Sequence, residues 1–517
     1  MRKSCSPLNV SDITLKTKGL GVFGKKAKNI ETDFNDSMTG GERKAAMSLA
    51  SICSLRMLGL FMILPVFALY AETLEGVTPL MIGLAIGIYG LTQALFQIPF
   101  GMLSDRIGRK PVIAMGLLIF ALGSVVAAMA DSILWVVIGR ALQGSGAIAA
   151  AIMALTADLT REEHRVKAMA MIGGSIGLSF AFALIMGPVV NSWVGVDGIF
   201  WITAVLAIIG IGVLYKIVPT PINSRFHRDT EPVPEQFKTV LSNSELLRLD
   251  AGIFILHMVL TATFVVVPFA LRDFAHLSVD DHWQVYLPVI LIAMLVMVPF
   301  IIVAEKRRRI KQIMTGAIVV LAISEFLLMI DHSSSSSIFF ALLLFFIAFN
   351  VLEASLPSLV AKTSPTHIKG TAMGVYSSAQ FLGAFVGGVS GGIVYGAYGL
   401  EGVFGLCGVM LLFWAYLAAT MRNPKYLGSF MVNVGDVDEA QAKQLVNEMA
   451  HVTGVAEVVV IPEDGIAYLK VDVHALDKKA LLAFSKENTM SPDTPSDASK
   501  DAPVVDEVSD KNNISKI

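Results

Sequence analysis

The sequence predicts an all-α membrane protein with twelve transmembrane helices in two six-helix repeats, followed by a small ferredoxin-like α+β module. Three observations carry that prediction. The 517 residues are 54% hydrophobic and only 16% charged, with a mean hydropathy of +0.66, whereas a soluble chain carries about 25% charge. Apolar runs of about 20 residues, the length that crosses a bilayer, recur from end to end. The two halves also repeat each other: QIPFGMLSDR at 97–106 lines up with MVPFIIVAEK at 297–306, an offset of 200 residues.

In chain order, residues 1–42 are polar and lysine-rich with no apolar run, so they read as a disordered extension and not as a cleaved leader. Six spans follow at roughly 45–70, 78–103, 111–130, 133–157, 168–192 and 198–218, making a first half over 43–218. A proline-containing polar link occupies 219–245. Six more spans, at roughly 247–271, 283–304, 312–331, 337–361, 371–395 and 399–421, make a second half over 246–422. Between Glu305 and Arg309 the second half keeps the charges of the first, but Ile301 and Arg308 stand where the first half has Gly101 and Gly108. Beyond the fourth and tenth spans the register becomes 204, so that Ala168-Met169 faces Ala372-Met373.

Charge sets the orientation. Even-numbered spans end in DRIGRK, TREEHRVK, the long link, EKRRRIK, KTSPTHIK and RNPK, and the opposite loops are acidic or neutral, with Arg272 the exception. Lysine and arginine stay on the cytoplasmic side, so both termini and the link are expected there. Residues 426–485 read strand, helix, strand, strand, helix, a ferredoxin-like cytoplasmic module, and 486–517 an acidic disordered tail. The module's first loop is GDVDEA, without a CxxC pair, and Cys5, Cys53 and Cys407 are scattered, so no metal and no cofactor is expected. A net charge of −2 points to no nucleic-acid partner, and no loop holds a catalytic constellation, which argues against an enzyme.

The stretch GMLSDRIGRK is the most informative. Gly101 permits close helix approach, Gly108 a sharp turn, Arg106, Arg109 and Lys110 hold the loop inside, and Asp105 needs a partner at the membrane boundary. The ordered pattern Gly-x-Leu-x-Asp-Arg-x-Gly-Arg-Lys between two spans resembles the signature loop of the major facilitator superfamily. That resemblance implies a conformational latch in which Asp158 pairs with Arg109 while Asp105 faces the start of the eleventh span near Gly370 and Thr371. A helix N-terminus welcomes a carboxylate.

Arg140 lies deep in the fourth span, too far in for a flanking anchor, and an intramembrane arginine is a functional candidate. Arg140, Gln143 and Gly144 resemble the R-x-x-Q-G motif of this superfamily's proton antiporters, which implies a part in proton coupling. Gly187-Pro188 partly resembles the antiporters' Gly-Pro motif and reads as a helix break. Arg56 stands inside the first span with Pro65 as a kink, where drug antiporters commonly carry an acid; here none comes before Glu72. Glu353, one turn after Asn350, reads as a cavity residue, with Tyr376, Gln380 and His257 as further candidates. Glu325, near an outer end, reads as a snorkelling side chain.

Residues 45–485 together resemble the YajR-type transporters, a bacterial inner-membrane group in the drug–proton antiporter branch. The resemblance implies a proton-coupled efflux transporter for a small molecule, monomeric in the bilayer and working by rocker-switch alternating access. A metabolite facilitator or symporter of the same fold, or a sensor signalling through the module, are the alternatives.

Overall fold

The structure is a computed structural model that describes residues 37–220 and 236–485, apart from 333, 366–367, 424–426, 463–464 and 473–474. Most of the N-terminal extension with Cys5, most of the link, the acidic tail, and Glu463 and Asp464 of the module lie outside the described residues.

The first span is α1 (Gly40–Phe61) and α2 (Leu64–Ala71), interrupted two residues before Pro65, whose ring clashes with a continuing turn. Thr39 and Glu42 form a capping box at the start of α1. Glu42 also accepts from the Arg161 backbone and its guanidinium at 2.9 Å, tying this helix start to the residue that precedes the fifth span. The second and third spans are α3 (Pro79–Ile107) and α4 (Arg109–Ala128), and α5 (Ile133–Ser145) with α6 (Ala149–Leu159) makes the fourth.

Helix α7 (Glu162–Lys216) runs for 55 residues. At 1.5 Å per residue that is about 80 Å, well over twice a bilayer core of about 30 Å. It breaks at Gly195, with φ 70° and ψ 178°, so it supplies the fifth and sixth spans. The short α8 (Phe237–Leu241) leads to α9 (Ser244–Asp273), α10 (Trp283–Lys306), α11 (Ile310–Ile330) and α12 (Ser335–Thr363). Helix α13 (Lys369–Ala419) breaks at Gly399, φ 68°, and supplies the last two crossings. Among the described residues, ten long apolar helices, two of them double, thus give twelve crossings. The predicted break at Gly187-Pro188 does not occur. Helix α7 passes through both residues, and Gly187 serves instead to admit the Met62 carbonyl, which a Cβ there would strike. Within a membrane bundle, neighbouring helices tolerate the donor that a proline lacks.

Large apolar side chains cover the outside of the bundle, Leu122, Leu295 and Phe413 among them. Lipid, not water, is the medium that leaves such a surface stable. Trp135, Trp193 and Tyr398 project at the end away from the signature loop, where an aromatic belt would meet the interface.

The module is β1 (Gly428–Asn433), α14 (Glu439–Ala450), β2 (Val455–Ile461), β3 (Ile466–Val471) and α15 (Lys478–Leu482), with antiparallel sheet order β1-β3-β2. Val432, Met449, Leu469 and Leu481 form its core. It docks on the second half through Lys470, whose Nζ donates to the Ala361 and Lys362 carbonyls at 3.1 and 3.2 Å. Arg308 lies 3.9 Å from Asp472 beside this contact. Asp438 caps α14 and Glu448 takes a hydrogen bond from Gln444.

Candidate functional site

The signature turn is built by Gly108, which ends α3 and starts α4 at φ 97° and ψ 151°. That conformation is accessible essentially to glycine alone. The turn lays Arg109 under the helix end. Its guanidinium pairs with Asp105, donates to Ser104 Oγ at 2.9 Å, and reaches Asp158 Oδ2 at 3.3 Å from Nε. Asp158 is fully shielded while the Asp105 side chain keeps 32% of its exposure. Lys110 Nζ donates to Val218 O at 2.7 Å and to the Thr220 hydroxyl at 2.9 Å, just beyond the end of α7. A Cβ on Gly101 would stand 3.1 Å from Ala150 Cβ, so α3 and α6 pack closely there. Arg106 is exposed and stands outside this cluster.

Asp105 does not face Gly370 and Thr371 in this conformation. It turns to Arg109, and the Thr371 hydroxyl donates to Gln236 Oε1 at 2.9 Å. The reason is visible in how the halves meet. Close glycine approaches between α3 and α13 fall between Pro79–Gly90 and Phe381–Gly396: a Cβ on Gly87 would come 2.8 Å from Phe385 O, and Gly83 opposes Gly388. These contacts lie at the end away from the signature loop. Arg272 at the end of α9 pairs there with Glu72 at the end of α2, and Asn191 reaches Asp280 at 3.5 Å. The one arginine that breaks the charge asymmetry is thus a bridge between the halves. Towards the signature loop, a methyl group added at Gly173, Gly174 or Gly177 of α7 would meet nothing within 4 Å, and the halves stand apart.

An aromatic layer closes the cleft at mid-depth. Phe61 meets Phe180 at 4.9 Å, Phe180 meets Phe349 at 5.7 Å, and Tyr89 meets Phe381 at 6.3 Å between ring centroids, joining the two halves. A polar layer lies just on the signature-loop side of it. In the second half, Gln380 Nε2 stands 2.8 Å from His257 Nε2 and donates to Glu353 Oε1 at 3.3 Å. His257 and Glu353 approach to 3.9 Å, and the Glu353 side chain keeps 36% of its exposure where the cleft opens. Glu353 Oε2 and the Tyr376 hydroxyl have no hydrogen-bond partner. Asn350 is half-buried one turn above Glu353.

Asp250 belongs to this layer and was not anticipated. It is 7% exposed, with Oδ2 unpartnered. In SELLRLDAG it reads as a flanking charge, yet two helical turns before His257 places it on the same face. Glu325 is corrected outright. It is fully buried between α9, α11 and α13, accepting from Thr263 Oγ1 at 2.8 Å, and does not snorkel. Hydropathy gives depth but not direction, and this acid points into the bundle.

In the first half, Arg140 is 2% exposed and directed inward. It donates to Gln143 Oε1 at 2.8 Å and to the Ala85 and Ile86 carbonyls at 3.3 and 3.4 Å. Gln143 in turn donates to Ser124 Oγ at 2.8 Å, and Gly144 lets α5 ride against the Tyr89 carbonyl. The R-x-x-Q-G spacing therefore ties α5 to α3 and α4 along one face. Arg56 is also buried. It donates to Gln93 Oε1 at 2.7 Å and to Gly146 O at 3.0 Å, a carbonyl freed where α5 breaks from α6.

The sequence profile described as Major Facilitator Superfamily matches residues 49–388 and again 303–430. The chain belongs to the major facilitator superfamily. It is 47% identical over 436 residues to the inner membrane transport protein YajR of Escherichia coli, covering 84% of this chain and 95% of that protein. An uncharacterized transporter of Buchnera aphidicola is 37% identical over 351 residues, 67% of this chain and 89% of its own. A bacterial homologue of the human lysosomal transporter Spinster, solved inward-facing and occupied, superposes with a TM-score of 0.63 at 14% identity, covering 75% of this chain and 98% of that one. As a major facilitator the chain is a membrane transporter and not an enzyme, and its C-terminal α+β module fits the domain that accompanies the YajR resemblance.

Proposed function

We propose that the protein is a proton-coupled exporter of a small molecule in a bacterial inner membrane, with both termini and the signature loop cytoplasmic. Distant kinship supports the export reading: the multidrug resistance protein MdtH of Yersinia enterocolitica is 24% identical over 389 residues. In this reading the conformation described is parted on the cytoplasmic side and sealed outside by the aromatic layer and the Arg272–Glu72 bridge. Rocking the halves the other way would bring Asp105 to the start of α13 and engage the latch.

The observation that carries the proposal is Glu353. It is an intramembrane carboxyl with one unpartnered oxygen, and it opens on the cleft where the halves part. Such a group is costly as an anion unless paired, so it takes up and gives back a proton as its surroundings change. Gln380 links it to His257, a second group able to titrate. Arg140 couples this event to helix position through α3, so Arg140→Ala should stop uphill transport in a folded protein.

The test is proton flux in proteoliposomes under an imposed substrate gradient. Glu353→Gln should abolish coupled flux, while Glu325→Gln, changed inside the sealed bundle, should retain it. Coupled flux that survives in Glu353→Gln would overturn the reading in favour of a facilitator.

A further inference from the structure

The helices that border the cleft carry buried charge of opposite sign in the two halves, arginines in the first and acids in the second. On the first-half wall Arg56 and Arg140 flank the Tyr89 ring at 5.8 and 5.3 Å, and Arg56 also lies 5.3 Å from the Phe120 ring. Every acceptor described for the two guanidiniums is neutral: Gln93, Gln143 and backbone carbonyls. Arg56 is 1% exposed and its Nε has no partner. It borders a recess of about 30 Å³ lined by Cys53, Met57, Ile148, Ile152 and Ile176. Acids of the first half lie at its ends, Glu42, Asp105 and Asp158 at one and Glu72 at the other. In the second half the charges are Glu353 and Asp250, each with an unpartnered oxygen, and His257 stands 3.9 Å from Glu353. Tyr89 and Phe381 join these walls directly.

We infer that the substrate is amphoteric, an organic molecule with an anionic group for Arg56, an amino group for Glu353 and an apolar middle against the aromatic layer. The inference rests on the cleft being the transport site. A simple cation would face two uncompensated guanidiniums, and burying a charge beside like charge is strongly unfavourable. A simple anion would have to face the acidic wall. A molecule bearing both charges supplies each wall with the partner it lacks. Its amino group competes with the proton at Glu353, which is what exchange of one for the other requires, and its carboxylate answers Arg56 with a charge-assisted bond.

The test is equilibrium binding to the full-length protein in detergent. The probes are a graded series of ω-amino acids, with the alkylamine and the fatty acid of matching chain length as comparators. The expected result is an ω-amino acid of one length that binds about ten-fold more tightly than its matching amine, the value of one charged hydrogen bond. Arg56→Gln should erase that difference and Arg56→Lys should keep most of it. Amines that bind as tightly as the amino acids, an advantage that survives Arg56→Gln, or no binding by any probe would each overturn the inference. The wild-type comparison alone decides the first point if Arg56→Gln does not fold. Binding is read without transport, so the two readings fail separately: coupled flux in Glu353→Gln would remove the exporter reading and leave an Arg56-dependent affinity standing.

Discussion

The chain contains its signature turn twice, and the two copies have gone different ways. In the first, a single residue, Gly108, both ends α3 and begins α4 in a glycine-only conformation. In the second, Arg307, Arg308 and Arg309 make the turn, with Arg308 held at φ 53°. The charges are exchanged as well. Arg109 reaches across to the shielded Asp158 on α6, whereas in the second half Glu305 pairs with Lys362 on α12, which stands 204 residues after Asp158. The first pair ties the start of the third span to the fourth, and the second ties the end of the second span of its half to the fourth. Only the first is buried, and Asp105 beside it is free to change partners. The second copy instead gives its outer face to the module, through Arg308 and the carbonyls of Ala361 and Lys362. Repetition preserved the turn, and burial separates the two copies.

Breaking the buried copy should cost most. Asp158→Asn takes a shielded partner from Arg109, and removal of one partner from a buried pair costs about 3 kcal/mol. A melting curve in detergent should show it, together with a strong loss of transport. Asp105→Asn should cost less stability, since that side chain is one-third exposed, yet it should still shift the resting population towards the state parted on the signature-loop side. Spin-label distances across the ends of α3 and α13 read that shift. The equivalent change in the second copy, Glu305→Gln, removes a pair whose acid is 43% exposed and should cost under about 1 kcal/mol. Equal losses in Asp158→Asn and Glu305→Gln would mean that burial does not distinguish the copies.

The backbone offers a gentler contrast. Gly108→Ala forces a side chain into a region reserved for glycine and should cost about 1–3 kcal/mol. Arg308→Gly should do the reverse, relieving a left-handed residue by about 1 kcal/mol, while weakening the module's contact through Asp472. Melting temperatures that move in opposite directions would establish that one turn is shared by both copies.

How much of this was legible follows from the same residues. The twelve crossings were readable because hydropathy averages over a whole helix, and the turn was readable because Gly108 and Arg109 interrupt such helices with local chemistry. Direction was not readable. Glu325, Asp250 and Asp105 each lie within a few residues of a helix end, where the sequence leaves the choice between snorkelling outward and turning inward to the packing of other helices. The continuous helix at Gly187-Pro188 was hidden for a related reason: what Gly187 admits is the Met62 carbonyl, exposed by an irregularity in a different span. State was not readable either. In the conformation described Asp105 pairs with Arg109, and the partner expected for it at the start of α13 belongs to the other state proposed above.

The smallest effect concerns the module that only the second copy carries. Lys470 is 3% exposed where it meets the end of α12. Burial, with help from the nearby Lys369 charge and against the pull of Glu457, lowers its pKa from an ordinary 10.5 to about 8. Lys362 and Arg308 add positive charge around the contact, and Glu305 and Asp472 negative charge, each already paired with one of those cations. The sign of the linkage follows. A lysine free in solution keeps its proton up to about pH 10, so undocking at pH 9 takes up a proton that the docked state lacks. Docking should therefore strengthen as pH rises from about 8 towards 10.5, and below pH 8 it should be insensitive to pH, since both states are then protonated. Losing the proton does not cost the contact its geometry. A neutral amine retains two N–H donors, and the site presents two acceptors, the carbonyls of Ala361 and Lys362. Crosslinking yield between the module and α12 should rise across that window and stay flat below it. Lys470→Met should flatten the profile while leaving the transporter folded, because Lys470 belongs to the module's contact with the end of α12 and not to the helix bundle. A profile unchanged in Lys470→Met would show that the docking contact is made elsewhere on the module, and that the second copy of the turn has no role in holding it.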